Sequence, residues 1–338
     1  MKTVTLGRTG LVVPQLSFGA LPIQRVPQAD AVRLIRRAMA AGIRFFDTAR
    51  AYSDSEEKLG AALSGERHGV VLATKTVARD AGSAREHLET SLRHLRTDYV
   101  DIAQLHNADS LPDPSDEGSA YVALRAAQRA GLVRFIGITT HRLSVACEAA
   151  RSRLFDTIQF PLSHISTEED LALVALCAEN GVGLIAMKAL CGGLLTNVRA
   201  AFAFFRQLDS VVPIWGIQFE HELDEFVSLE QEPPAFDAQL RRSIDADRRE
   251  LSGSFCRGCG YCLPCPVDIP IPMAARMAFL LERAPFQPFL SDPWKEQMGR
   301  IRDCTHCGAC AARCPYGLDT PALLASMLTA YEAFAAAH

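Results

Sequence analysis

The 338-residue sequence predicts a closed parallel α/β barrel followed by a small helical domain organised around cysteines. Three observations predict it. Short apolar runs that read as buried strands alternate with amphipathic runs that read as helices, eight times within about 250 residues. No G-x-G-x-x-G follows the first strand, the turn expected of an open doubly wound sheet, which is the competing architecture. Eight of the 11 cysteines fall in the last quarter of the chain at regular spacings. Eight strand–helix repeats are what a (β/α)8 TIM barrel requires, its parallel strands covered by an outer ring of helices.

Taken in chain order, the strands are expected to end near Gly19, Asp47, Lys75, His106, Thr139, Phe160, Lys188 and Gly216. The runs before Asp47, Lys75 and His106 are short and rich in Ile, Val, Leu and Phe, as strands buried on both faces must be. Helices are expected over residues 30–41 and 118–130, each stopped by a glycine, Gly42 and Gly131, that tolerates the left-handed C-cap conformation. Arg33, Arg36 and Arg37 share the first of these and read as a solvated face. Gln231-Glu232-Pro233-Pro234 marks the exit from the barrel, and a helix over about residues 236–251 leads onward, dividing the chain into domains 1–250 and 251–338. In the second domain, residues 271–282 read as a helix and residues 285–293 as a proline-punctuated loop, with Phe286, Phe289 and Trp294 available for packing. Residues 322–337 read as a terminal helix in which Leu324, Leu328, Tyr331 and Phe334 recur at helical spacing.

The cysteines form two runs, Cys256-x2-Cys259-x2-Cys262-x2-Cys265-Pro266 and Cys304-x2-Cys307-x2-Cys310-x3-Cys314-Pro315. The second has the bacterial ferredoxin spacing, in which the fourth cysteine ligates the other cluster. Two 4Fe-4S clusters are therefore expected, one held by Cys256, Cys259, Cys262 and Cys314, the other by Cys304, Cys307, Cys310 and Cys265, which makes the domain a small ferredoxin-like iron-sulfur unit. The first run departs from the pattern, with two residues rather than three before Cys265. Paired zinc knuckles are the alternative, because repeated C-x2-C also suits tetrahedral thiolate sites. Cys147, Cys177 and Cys191 stand alone and read as small buried hydrophobes.

Bulk properties narrow the function classes. With 49% hydrophobic residues the chain has enough apolar material for one large and one small core, and a net charge of -4 offers no electrostatic footprint for nucleic acid. The N-terminal residues lack the apolar run of a secretory leader, and the most apolar stretch, about residues 171–190, is broken by Glu179, Asn180 and glycines, so no membrane span is expected. Clusters that need reduced thiols make the cytoplasm the expected compartment.

Barrel enzymes place their chemistry at the C-terminal ends of the strands, and that rule selects Asp47, Lys75 and His106, with Tyr52 five residues past Asp47 in a loop that reaches the same mouth. Taken singly, each has a plain structural reading: a helix cap, a solvated lysine, a satisfied core histidine. Together they form a proton-donating site for a carbonyl oxygen. A phenol whose free pKa is about 10 is a poor acid unless its phenolate is stabilised. Lys75 is expected to supply that charge, Asp47 to orient Lys75, and His106 to hydrogen-bond the carbonyl.

Leu6-Gly7-Arg8-Thr9-Gly10-Leu11, Ser17-Phe18-Gly19, Asp47-Thr48-Ala49-x2-Tyr52, Lys75 after a strand, Leu105-His106-Asn107 and Ile136-Gly137-Ile138-Thr139-Thr140-His141 resemble signatures of the aldo-keto reductase family over roughly residues 1–230. The cysteine region makes the whole similar to its ferredoxin-fused branch. The resemblance implies a (β/α)8 barrel, NAD(P)H-dependent reduction of an aldehyde or ketone (or oxidation of an alcohol), and a catalytic tetrad of Asp47, Tyr52, Lys75 and His106 with Tyr52 as general acid/base. It also implies a cofactor site in which Gly19 and Ala20 line the nicotinamide end beside Asp47. Thr139, Thr140 and Gln159 would meet the carboxamide, Lys188, Leu190, Gly192 and Gly193 would lie towards the pyrophosphate, and Gly216 after the eighth strand would be a further cofactor-binding residue. The chain departs from the family where an aromatic residue often stacks on nicotinamide, having Ile185-Ala186-Met187-Lys188 there. It also lacks a Lys/Arg pair for a 2'-phosphate in residues 216–222, so NAD and NADP are left undistinguished.

Two function classes follow. In the first the protein is an oxidoreductase acting on a small carbonyl or alcohol, with clusters that brace the second domain or exchange electrons with a protein partner. In the second it is a nucleotide-binding redox sensor or electron carrier without carbonyl turnover. A pure binding module has no need of all four tetrad residues.

Overall fold

The computed structural model describes residues 1–251, 255–283 and 286–338, the Arg283 side chain excepted. Pro285, where the expected proline loop begins, lies outside the described residues. Contacts divide the chain into two units, Met1–Ala189 with Phe202–Phe236, and Leu190–Ala201 with Asp237–His338.

The first unit opens with an antiparallel hairpin, β1 (Thr3–Thr5) and β2 (Val12–Pro14). Eight parallel strands follow: β3 (Ser17–Gly19), β4 (Phe45–Asp47), β5 (Val71–Thr76), β6 (Val100–Leu105), β7 (Val133–Thr139), β8 (Thr157–Pro161), β9 (Gly183–Met187) and β10 (Val211–Gly216). Each pairs with the next and β10 returns to β3, closing the barrel. Four strands end where the sequence predicts. β6 and β9 stop one residue early because the chain turns into left-handed backbone at Asn107 (φ 50°) and Lys188 (φ 58°).

Around the barrel run α1 (Gln28–Ala40), α2 (Ser55–Leu63), α3 (Ala81–Leu95), α4 (Ala120–Arg129), α5 (Leu143–Ser152), α6 (Glu168–Glu179), α7 (Val198–Phe205) and α8 (Glu220–Gln231). Side-chain caps set several starts. Asp80 accepts from Ser83 N, Ser119 accepts from Val122 N, and Thr167 forms a capping box with Asp170. Such caps contribute about 0.5–2 kcal/mol each. Ser119 is why α4 begins two residues after the position its hydrophobic pattern suggests. Arg33 and Arg37 of α1 are exposed, as expected of a solvated face, yet both pair with Glu220 of α8.

Strand periodicity sorts the interior into layers. Phe45, Ala73, Ile102, Ile185, Val212 and Ile214 pack with Val4, Leu6, Leu11 and Val13, so the N-terminal hairpin plugs one end of the barrel. That hairpin needs Gly7, at φ 50°, where a β-carbon would lie 2.4 Å from the Gly181 carbonyl oxygen. Two residues further along the strands, the apolar Phe45, Ala73 and Ile102 give way to Asp47, Lys75 and Gln104. The barrel thus changes from an apolar floor to a polar layer within one strand repeat.

The second unit contains α9 (Ala238–Glu250), α10 (Ile271–Ala274), α11 (Met277–Arg283), α12 (Asp292–Gly299), α13 (Ala309–Arg313) and α14 (Thr320–Ala337). The expected helix over residues 271–282 is two helices separated by a turn at residues 275–276. Ile269, Ile271, Ala274, Met277, Met298, Leu324 and Tyr331 form its core, and Phe286, Phe289 and Trp294 pack against them as the sequence suggests. Tyr331 Oη donates to the Phe289 carbonyl at 2.8 Å. Among the described residues no helix is long and apolar enough to cross a membrane.

Candidate active site and cysteine centres

Three neighbouring strands present the ionisable side chains at the polar mouth of the barrel. Asp47 closes β4, Lys75 lies one residue from the end of β5, and His106 directly follows β6. Tyr52 sits in the turn before α2, which is held by Tyr52 N donating to Ala49 O at 3.0 Å and Ser55 N donating to Tyr52 O at 2.8 Å. Lys75 Nζ donates to Asp47 Oδ2 at 2.6 Å and to the Thr48 carbonyl at 2.5 Å. It lies 5.2 Å from the Tyr52 ring centroid, and the His106 ring meets Tyr52 edge-on at 5.8 Å. The four side chains selected from the sequence converge.

Burial dominates their ionisation. It pulls the Asp47 carboxyl up, against Lys75, Gln159 and Gln104, which all favour the carboxylate. The Tyr52 phenol is also raised, chiefly by desolvation, although Lys75 pulls it down. The expectation of an acidified tyrosine therefore holds only for the lysine's share, and loss of water outweighs it. Desolvation, with Lys75 and Arg79 adding repulsion, takes His106 down to about 3, so its ring is neutral. Among the described residues His106 Nδ1 is buried without a hydrogen-bond partner, and a polar atom left so costs about 1–3 kcal/mol until a ligand or water meets it.

Gln104 was not selected from the sequence. Its amide donates to Asp47 Oδ1 at 3.2 Å and to Gln159 Oε1 at 2.9 Å, while Gln159 Nε2 donates to Asp47 Oδ2 at 3.4 Å. Register places Gln104 beside Lys75 on one side and Gly137 on the other. A β-carbon at Gly137 would come within 3.0 Å of Gln104 Cγ and 2.3 Å of Thr157 Oγ1, so that glycine makes room for the bridge. The available signal was spacing: Gln104 precedes His106 by one strand repeat and faces the same interior.

The expected cofactor residues divide. Gly19 lies in register with Asp47 and Gly216, and Ala20 N donates to the Asp47 carbonyl at 2.8 Å, so these surround the same mouth. Thr139 Oγ1 accepts from Asn107 N at 2.8 Å and Thr140 Oγ1 donates to the Ala108 carbonyl at 2.9 Å, fixing the turn after His106. Gln159 is engaged with Asp47 and Gln104. Lys188 follows β9 in the first unit, whereas Leu190, Gly192 and Gly193 belong to the second. The glycine-edged mouth, at Gly19 and Gly216, leaves room for a flat ring to approach Asp47.

In the second unit the cysteines surround two hollows. One is lined by Cys256, Cys259, Cys262 and Cys314. The other is lined by Cys265, Cys304, Cys307 and Cys310, with Cys262 on the shared side. Cys265 thus lies in the second ring despite its shortened spacing. Among the described residues no three such side chains converge closely enough to hold a single metal ion. Each ring carries four cysteines around one hollow, the ligand count that a cubane cluster requires. Gly258 N donates to Cys256 Sγ at 3.3 Å. Burial pushes the Cys262 thiol up to about 12. Cys177 and Cys191 are buried, as expected of lone thiols, while Cys147 is half-buried.

Comparison with known proteins agrees with this arrangement. Residues 15–210 match the model of the aldo/keto reductase family and residues 255–319 that of a 4Fe-4S dicluster domain. L-galactose dehydrogenase of Arabidopsis thaliana is 32% identical over 211 residues, covering 57% of this chain and 66% of its own length. Aldo-keto reductase YhdN of Bacillus subtilis is 30% identical over 216 residues, covering 58% and 64%. The chain therefore spans slightly under two thirds of these relatives. A solved structure of an aldo-keto reductase of Pseudomonas aeruginosa superposes with a TM-score of 0.60 at 27% identity, over 68% of this chain and 94% of that one.

The neutral His106 ring has a measurable consequence. Its folded pKa of about 3 lies below the free value of 6.5, so below pH 6.5 the unfolded chain binds the extra proton more readily. The ring's stabilising share is complete above pH 6.5 and is lost as pH falls towards 3. Imidazole 15N NMR is expected to show an uncharged His106 at pH 5, and protonation near the free value would contradict the buried geometry.

Proposed function

The chain belongs to the aldo/keto reductase family, and from that premise we propose that it transfers a hydride between NAD(P)H and a small aldehyde or ketone, with Tyr52 as the proton donor. The reverse reaction oxidises the corresponding alcohol. The observation that carries this reading is the assembly of Lys75 between Asp47 at 2.6 Å and the Tyr52 ring at 5.2 Å, with His106 closing the other side of Tyr52.

When bound, a reduced nicotinamide supplies the hydride, held among Gly19, Ala20, Asp47, Thr139, Thr140, Gln159, Lys188 and Gly216. Leu190, Gly192 and Gly193 are proposed as contacts for its pyrophosphate. Neutral His106 orients the substrate carbonyl by a hydrogen bond from its ring. Tyr52, kept protonated by its desolvated setting, passes its proton to the carbonyl oxygen as charge develops there. The Lys75 ammonium stabilises the tyrosinate left behind, and a proton from solvent restores the phenol. Asp47 and the glutamine bridge hold Lys75 in place. General acid catalysis of this kind contributes about 10²–10⁴-fold in rate.

The eight cysteines are proposed to hold two 4Fe-4S clusters in the crossed arrangement, each passing one electron at a time. A hydride carries two electrons and the sequence has no evident flavin motif, so the clusters are proposed either to brace the second unit or to trade electrons with a partner protein. Reduced thiols favour a cytoplasmic setting. A role as a nucleotide-binding sensor without turnover is less well supported, because it leaves the proton-donating assembly without a task.

Tyr52→Phe is expected to lower kcat by about 10²-fold or more while nucleotide affinity changes less than twofold. Substantial residual turnover would remove Tyr52 from the acid role. For the cysteine centres, Cys259→Ala should lose about half of the bound iron and lower the melting temperature of the second unit, since cluster ligation is coupled to folding. Unchanged iron content would defeat the assignment of Cys259 as a ligand.

A further inference from the structure

We propose that Arg276 is the internal counter-charge of the cluster held by Cys256, Cys259, Cys262 and Cys314, and that its guanidinium raises that cluster's reduction potential; the proposal rests on those four cysteines being cluster ligands. Arg276 occupies the turn between α10 and α11 and is 9% exposed. Its Nε donates to the Pro272 carbonyl at 2.9 Å and one terminal nitrogen donates to Met273 Sδ at 3.4 Å. Neither partner carries charge. No carboxylate pairs with it among the described residues, and the acidic groups that act on it are the thiols of Cys256 and Cys191.

Two glycines hold the guanidinium in place. A β-carbon at Gly192 would lie 2.8 Å from Arg276 Nη1, and one at Gly258 would lie 3.0 Å from its Cζ. Both have left-handed backbone, φ 68° and 61°. The cation is therefore clamped between the segment carrying Cys191 and the turn that follows Cys256, where Gly258 N also donates to Cys256 Sγ.

A buried guanidinium without a counter-ion is costly, and desolvation pulls Arg276 below the usual arginine range. A cluster ligated by four thiolates is net negative and becomes more so on gaining an electron. A fixed cation in a low-dielectric setting then stabilises the reduced form more than the oxidised one. Arg276 reaches this hollow from behind, against the Gly258 turn that follows Cys256, whereas Arg257 lines it directly but is half-buried and stacks on Phe255 and Tyr316, so water screens it more. The cation near the second hollow, Arg313, is exposed and donates to the carbonyls of Leu263 and Pro264. Arg276 is the buried charge that distinguishes the two sites.

The test uses the full chain with its clusters loaded. Iron and acid-labile sulfide are measured first, and their absence from the wild type would overturn the cluster assignment itself. With iron present, a redox titration followed by EPR is expected to show that Arg276→Gln lowers one midpoint by at least tenfold in the reduction equilibrium, about 59 mV for one electron, and leaves the other in place. Arg276→Lys should keep most of the wild-type value. An unmoved midpoint in the iron-loaded Gln variant, or equal falls in the Gln and Lys variants, would overturn the role of charge. If the Gln variant does not retain iron, Gly192→Ala decides, because its methyl displaces Nη1 and leaves every ligand intact. A fall in the same midpoint supports the proposal, and an unchanged midpoint rejects it.

Discussion

The buried ion pair between Asp47 and Lys75 is the constraint around which the mouth of the barrel is arranged. Both side chains are about 2% exposed or less and lie 2.6 Å apart. Charges removed from water are tolerated only when paired and surrounded by further hydrogen bonds, and deleting one partner of such a pair costs about 3–5 kcal/mol. The Thr48 carbonyl serves Lys75, and the Gln104 and Gln159 amides serve Asp47. Gly137 has no side chain because Gln104 must pass it. Residues on five strands thus meet the needs of one pair, and that rigidity is what aims the ammonium at Tyr52.

Desolvation acts at both centres. In the barrel it keeps the phenol protonated and the imidazole neutral, a suitable resting state for the proposed transfer of a proton and donation of a hydrogen bond. In the second unit it raises the buried Cys256 and Cys262 thiols, which would couple the proposed iron binding to folding. In the proposed reading the two units handle different electron counts, a pair with the hydride and single electrons at the clusters. Their fusion in one chain points to function for the second unit in bracing or in exchange with a one-electron partner.

Strand ends were legible because a fully buried parallel strand is a short apolar run followed by a polar residue, and Asp47, Lys75 and His106 each mark such a boundary. The cysteine grouping was legible for a similar reason: spacing along the chain fixes which thiols can share a cluster, and Cys314 falls in the ring with Cys256. Gln104 was not, since a glutamine inside an apolar run looks like any satisfied core residue until its two neighbours are known. The balance at Tyr52 was also hidden, because a sequence reveals the ammonium but not how much water the fold removes. Residues 190–201 read in linear order as barrel, yet their contacts are with the second unit. Such an assignment depends on three-dimensional packing that no local pattern encodes.

The most direct measurement is the titration of the Tyr52 phenol by 13C NMR, with labelled tyrosine, in the ligand-free wild type and in Lys75→Met. The wild-type phenol should titrate above the free value of 10.0, since burial outweighs the ammonium, and removal of Lys75 should raise it further. A Tyr52 pKa that does not respond to the loss of Lys75 would contradict the electrostatic coupling on which the proposed proton transfer depends.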